Sequence, residues 1–174
     1  MARRRSRESP FFSLLTLAAL FLVGKKFMTA QASSASPCLP ATRTDSTAAD
    51  VEAALLAAGC PFAAVKIVAA QSAHETAGWK GGLWNWNVGN LTQPDPHQTC
   101  VTQPGNALHF AAYANLTAGA RAYVDLLKRI GALPLAVAGD LAGYVAELKQ
   151  HNYAGNADYL AYEAGIARWL AQLT

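Results

Sequence analysis

The 174 residues carry a formal charge of +3, but it is unevenly placed. Residues 1–26 hold six basic side chains against Glu8, a local +5, while the remainder holds eight basic and ten acidic residues, a net −2. A nearly neutral body without a basic stripe excludes grip on a phosphate backbone, so nucleic acid is not an expected partner. The apolar share of 52% is enough to give one domain a sizeable core.

The chain opens with Arg3, Arg4, Arg5 and Arg7, then an apolar run from Phe11 to Gly24, then Lys25 and Lys26. A basic start before such a run marks an export signal or a short membrane anchor over residues 1–28. Ala30-Gln31-Ala32 offers a small-x-small cleavage site, although the two lysines before it favour retention. The arginines place the N-terminus inside and the domain outside. The expected location is therefore the periplasmic face of an inner membrane or the exterior, with a virion as the alternative. Residues 29–46, rich in Ser, Thr, Ala and Pro, read as a linker.

A domain is expected over residues 47–174. Thr47 can cap a first helix, with Asp50 three residues on and Val51, Leu55 and Leu56 as its apolar face, ending at Gly59. Pro61 suits the first turn of a second helix to about Ala77. That helix is apolar nearly all round, which places it in the centre of the domain. Residues 79–105 are aromatic, polar and turn-rich. Two short strands around Pro104-Gly105-Asn106 read as a hairpin. Helices then follow: one capped by Thr117 to Ile130, one capped by Asp140, and one capped by Asn156 running through Tyr159, Ile166, Trp169 and Leu170. Trp169 falls on the apolar stripe of this last helix and reads as core. The fold class is mainly α (α+β), with one small β-lobe.

Glu75 arrives at the end of the central helix, just before a Gly-containing break, and Trp79, Trp84, Trp86 and several asparagines follow it. Burial raises a carboxyl pKa, so such a group can hold a proton near neutral pH and deliver it to a leaving oxygen. Indole faces stack on sugar rings, and Asn amides bond hydroxyls and N-acetyl groups in both directions. Trp84 and Trp86 alternate with Asn85 and Asn87, so an extended backbone would put both indoles on one face. Glycosidases normally pair the acid with a second carboxylate. Between Thr76 and Val124 the chain offers Asp95 alone, between Pro94 and Pro96. It is either the base that activates water or a turn residue. In the second case Glu75 acts with the substrate's own N-acetyl group or 6-hydroxyl as nucleophile.

His74-Glu75 would begin a zinc-protease motif, but the second His needed at position 78 is Gly78. His97 and His109 lack partners at ligand spacing, so neither a metal nor another cofactor is expected. Three cysteines allow one internal disulfide. Cys60–Cys100 is the expected pair, as both lie inside the domain near predicted element ends. Small buried thiols without a bond are the alternative.

In order and spacing these features resemble the glucosaminidase-type branch of the lysozyme-like superfamily, which cleaves peptidoglycan glycan strands. Its Ala-Gln-x-Ala-x-Glu-(Ser/Thr)-Gly-Trp pattern is matched by Ala70, Gln71, Ala73, Glu75, Thr76, Gly78 and Trp79, with Ala77 as an extra residue. Trp86-Asn87-Val88-Gly89-Asn90-Leu91 matches an Asn-rich segment. Phe110, Tyr113, Leu116, Gly119 and Tyr123 match an aromatic strand and helix, and Tyr153, Ala154, Asn156 and Tyr159 a tail. His74-Glu75-Thr76 is similar to a chitinase-like variant. The resemblance spans roughly residues 47–172 and implies a lysozyme-like helical domain with a small β-hairpin lobe. It implies a peptidoglycan hydrolase cutting β-1,4 bonds, with Glu75 as general acid and Tyr123 as a second catalytic residue that positions the sugar or stabilises developing positive charge, a core tyrosine being the alternative. A lytic transglycosylase is the neighbouring reaction. Trp79, Trp84, Trp86, Asn87, Asn90 and Tyr113 are the expected substrate-binding residues. The expected partners are glycan strands, a membrane through the N-terminal segment, and a larger secretion, motility or virion assembly. The rival reading is a non-catalytic wall-binding or structural module.

Overall fold

A computed structural model describes residues 38–92, 99–102, 108–155 and 157–173, all within one compact unit, Ala35–Thr174. The N-terminal segment 1–28, Asp95, His97, the hairpin tip at 103–107 and the expected cap Asn156 lie outside these residues. Among the described residues no helix is long and apolar enough to cross a membrane.

The unit is mostly helical, with a small three-stranded sheet. Its elements are β1 (Leu39–Pro40), α1 (Ala48–Ala57), a single 3-10 turn (Phe62–Ala64) and α2 (Val65–Glu75). They continue with β2 (Cys100–Thr102), β3 (His109–Ala111), α3 (Leu116–Arg129), α4 (Ala132–Val137), α5 (Leu141–Gln150) and α6 (Tyr159–Leu173). The Thr47 hydroxyl and the Asp50 carboxylate form the expected capping box at the start of α1. Asp140 caps α5, as its side chain accepts from the Gly143 amide. Asn115, not Thr117, caps α3, because its side-chain oxygen accepts from the Ala118 amide. Asp158 takes the amides of Leu160 and Ala161 at the head of α6.

α2 occupies the centre. Eight of its eleven residues, from Val65 to Ala73 with Lys66 excepted, are buried. It packs against α1, α4 and, most extensively, α6. α2 ends at Glu75, two residues earlier than expected, because Ala77 turns into the left-handed region (φ 50°). α4 is a short helix between two longer ones that carries no cap or apolar periodicity of its own to mark it in the sequence. Gly131, at φ 80°, closes α3 and opens α4 at once, and Pro134 sits in the first turn, where a missing N–H is harmless.

Two expectations are corrected at the sheet. The segment 39–46, read as linker, is woven into the domain. Leu39 and Pro40 pair in parallel with Val101 and Thr102, and the amides of Thr44 and Ser46 bond the carbonyls of Leu83 and Trp79. The disulfide is Cys38–Cys100, not Cys60–Cys100. The β1–β2 register sets residues 38 and 100 side by side, with Cα atoms 4.8 Å apart. Cys60 is a free thiol buried in the core. Burial pushes its pKa up to about 11 against a weaker opposing pull from Lys128. β2 and β3 pair antiparallel, as the hairpin reading requires.

Gly119 allows the loop after α2 to touch α3. A Cβ there would collide with the Trp86 carbonyl oxygen and crowd the Tyr113 ring. Gly119→Ala is expected to destabilise the domain by about 1–3 kcal/mol, as overpacking against fixed backbone does, measured by urea unfolding.

Candidate active site

Glu75 closes the buried α2, and its side chain is half-buried. The Tyr162 hydroxyl, from α6, donates to its Oε1. Asn90 makes a second side-chain hydrogen bond to the same carboxyl. Burial pushes the Glu75 pKa above the ordinary carboxyl value, while these two hydrogen bonds pull it back. Among the described residues no salt bridge reaches it.

Behind Tyr162 stands a buried polar cluster. Gln71, one turn before Glu75 on α2, has no exposed surface. Its Nε2 donates to the Tyr162 hydroxyl oxygen at 3.0 Å. Its Oε1 accepts from the hydroxyls of Tyr123 on α3 and Tyr144 on α5. Tyr153, in the turn after α5, donates to the Gly89 carbonyl. Burial raises the phenol pKa values of all four tyrosines, so all four are neutral donors at physiological pH. Among the described residues no buried side-chain nitrogen or oxygen lacks a partner.

A cleft of about 390 Å³ lies beside this centre. Leu91, Leu126, Ile130 and the rings of Tyr113 and Tyr153 give it an apolar body, Asp125 and Arg129 give it a charged edge, and His151 lies alongside them. Asn90 joins cleft and acid, since it lines the one and bonds the other. The half-buried Tyr113 has its phenol pKa pushed up to about 12 by burial.

The expected site residues divide between this centre and the scaffold. Glu75 and Asn90 meet directly, and Tyr113 lines the cleft. Tyr123 is fully buried and reaches the acid only through Gln71 and Tyr162, so it is a positioning residue and cannot touch a sugar. Trp79 is 3% exposed, its indole N–H donates to the Ser72 hydroxyl, and its ring packs on Trp169. It belongs to the core rather than to a sugar platform. Asn87 is also structural. Its amide nitrogen donates to the carbonyls of Leu91 and Ala111, and its oxygen accepts from the Leu91 amide, which uses the whole group. Trp84 and Trp86 do not share a face, because Asn85 (φ 49°) and Trp86 (φ 57°) are left-handed rather than extended. Arg43 lies over the Trp84 ring at 5.2 Å, and Trp86 lines a different hollow with Asp45 and Asn115. The carboxylate lining the described cleft is Asp125, 3.8 Å from Lys128.

Tyr162 carried no sequence expectation. Its signal was a phenol three residues after Tyr159 on the apolar stripe of α6, a polar tip where a core helix has no other use for one. His74 was passed over as a ligand. Its ring lies edge-on to Tyr162 and against Gly165, and burial and then Arg168 hold it below its ordinary pKa. Cys38, Cys100 and His109 are the one group of ligand-type side chains gathered within reach of a common ion among the described residues, and its two sulfurs are bonded to each other.

Tyr162→Phe removes a donor to the ionised carboxyl and so raises the Glu75 pKa further. A charge-assisted hydrogen bond is worth about 1.5–3 kcal/mol, so the shift is expected to be about one pH unit upward, read from the titration of the Glu75 carboxyl.

No protein-family model, curated protein or solved structure matches the chain.

Proposed function

We propose that this domain is a glycosidase acting on the β-1,4 bonds of N-acetylated peptidoglycan strands, with Glu75 as general acid. One observation carries the reading. A carboxyl at the end of a buried helix, made harder to ionise by its surroundings, is joined through Asn90 to a cleft with aromatic walls. A raised pKa lets it hold a proton for the departing glycosidic oxygen, and its hydrogen bonds stabilise the carboxylate left behind. Tyr113 and Tyr153 offer ring surface to pyranoses, and the Asn90 amide suits an N-acetyl group. The arrangement of a central helix ending in an acid, a small sheet after it and helices around it accords with a lysozyme-like fold.

Two chemistries fit a single described acid at this centre. Either Asp95 activates water, or the substrate's own N-acetyl or 6-hydroxyl group attacks the anomeric carbon. In our reading residues 1–28 carry the domain out of the cytoplasm or hold it at the membrane. The Cys38–Cys100 bond supports this, since disulfides persist in oxidising compartments. Within that setting the domain would act on the wall alone or as part of a secretion, motility or virion assembly.

The test is digestion of purified cell walls followed by mass analysis of what is released. Reducing-end fragments identify a hydrolase, and 1,6-anhydro ends a lytic transglycosylase. Binding to walls with no soluble fragment at any pH between 4 and 8 overturns the reading in favour of a wall-binding module.

A further inference from the structure

An O–H group has one proton to give, and this makes the direction of the buried cluster readable. Gln71 Oε1 accepts from the hydroxyls of Tyr123 and Tyr144. With the amide oxygen held on that side, Nε2 is the atom facing Tyr162 and can only donate. The Tyr162 oxygen is thereby engaged as an acceptor, and its own proton goes to Glu75 Oε1. Each bond orients the next, and the series ends on the acid. It crosses four helices, α3 and α5 to α2, then α6 and back to α2, a path too specific for filling a core.

We propose that Gln71 is a positioning residue whose amide, clamped by Tyr123 and Tyr144, compels the Tyr162 hydroxyl to donate to Glu75 and so governs how readily that carboxyl gives up its proton. Without the amide, Tyr162 is free to turn and accept from a protonated Glu75, so the acid form gains and the carboxylate loses. The relay thus opposes burial, which alone would hold the proton too firmly. The catalytic meaning of this control rests on the proposed glycosidase reading: an acid that must release a proton and then take one back works best when neither form is overwhelmingly favoured. The titratable groups that face Glu75 are Tyr162 from α6, Tyr123 from α3, Tyr144 from α5, Tyr153 from the turn after α5, and His74 beside it on α2. The phenols stay neutral through the working range, so their effect is through hydrogen-bond direction rather than charge.

The experiment follows the Glu75 carboxyl itself, by carbon NMR of the full chain labelled at glutamate side-chain carboxyls, with the resonance assigned by its loss in Glu75→Gln. In Gln71→Met its pKa is expected to rise by about one unit, and adding Tyr162→Phe to that variant is expected to raise it no further, since both remove the same effect. Tyr144→Phe, which leaves the amide and one of its clamps in place, gives a smaller rise of the same sign and serves if Gln71→Met does not fold. The alkaline limb of kcat/KM against pH moves by the same amount as the titration, with KM unchanged. A Glu75 pKa at the wild-type value in either folded variant, or shifts that add in full with Tyr162→Phe, overturns the relay and leaves Gln71 as core packing. The titration needs no turnover. A protein that shifts as expected but cleaves no glycan sinks the glycosidase reading alone, and one that cleaves without shifting sinks the relay alone.

Discussion

Glu75→Gln is expected to abolish release of wall fragments, lowering turnover about 10²–10⁴-fold, while making the domain harder to melt at neutral pH. The first half follows from chemistry: an amide has no acidic proton for a leaving oxygen, and the carboxylate that lines the cleft itself, Asp125, lies 3.8 Å from Lys128 rather than at the end of α2. The second half follows from linkage. The Glu75 pKa is raised in the folded protein, so between its ordinary and its folded pKa the folded state binds more protons than the unfolded chain. Stability therefore falls as pH rises through that window. Above it, the wild type carries a carboxylate in a half-buried site that the Gln variant does not. Below the ordinary carboxyl pKa both side chains are neutral and the two melting curves converge. Melting temperatures of both proteins, taken from pH 3 to 8, check this. A Gln variant less stable than wild type at pH 7 would mean that the carboxylate is favoured by its surroundings, and an acid of that kind is a poor proton donor.

Reduction of the Cys38–Cys100 bond should give the largest loss of stability of any single covalent change. The bridge closes a loop spanning 62 residues, and loop-closure entropy at that length corresponds to about 4 kcal/mol. Melting should fall by roughly 10–15 °C in a reducing buffer. Cys38→Ser and Cys100→Ser should each reproduce that drop and remove the sensitivity to reductant. Cys60→Ser should leave the sensitivity intact, because that thiol is unpaired. If Cys60→Ser abolishes it, the pairing is wrong and β1 does not lie beside β2. The size of the drop also measures how far the sheet depends on its two-residue edge strand, which is too short to hold by backbone bonds alone.

What could be read from the sequence was local. The capping box at Thr47 and Asp50, the cap at Asp140, the near-total burial of α2 and the arrival of Glu75 at its end are each settled within one or two helical turns of chain. Partners distant in sequence were not legible. Composition made 39–46 a linker, but the sheet register recruits it, and the disulfide followed the register rather than the apparent domain boundary. The aromatic loop misled for a different reason. Alternation of Trp84 and Trp86 implies one face only if the backbone is extended, and left-handed residues at 85 and 86 break that premise. Asn87 and Trp79 are the residue types that bind sugars, yet Asn87 is taken up by backbone groups of a twisted loop and Trp79 by the Ser72 hydroxyl and the Trp169 ring. Tyr162 was hidden because its role depends on four elements meeting at one point.

The same burial that fixes α2 also decides where this protein is free to change. A helix with eight of eleven side chains inside, Gly165 of α6 pressed against His74 near its end and a polar relay running through it has almost no position at which a new residue is harmless. Diversification is left to the surfaces facing the cleft, above all Leu126, Arg129 and His151. A saturation library of the whole domain should accordingly show two populations: a rigid minority intolerant of nearly everything, and a pliable rim that accepts change without loss of the fold.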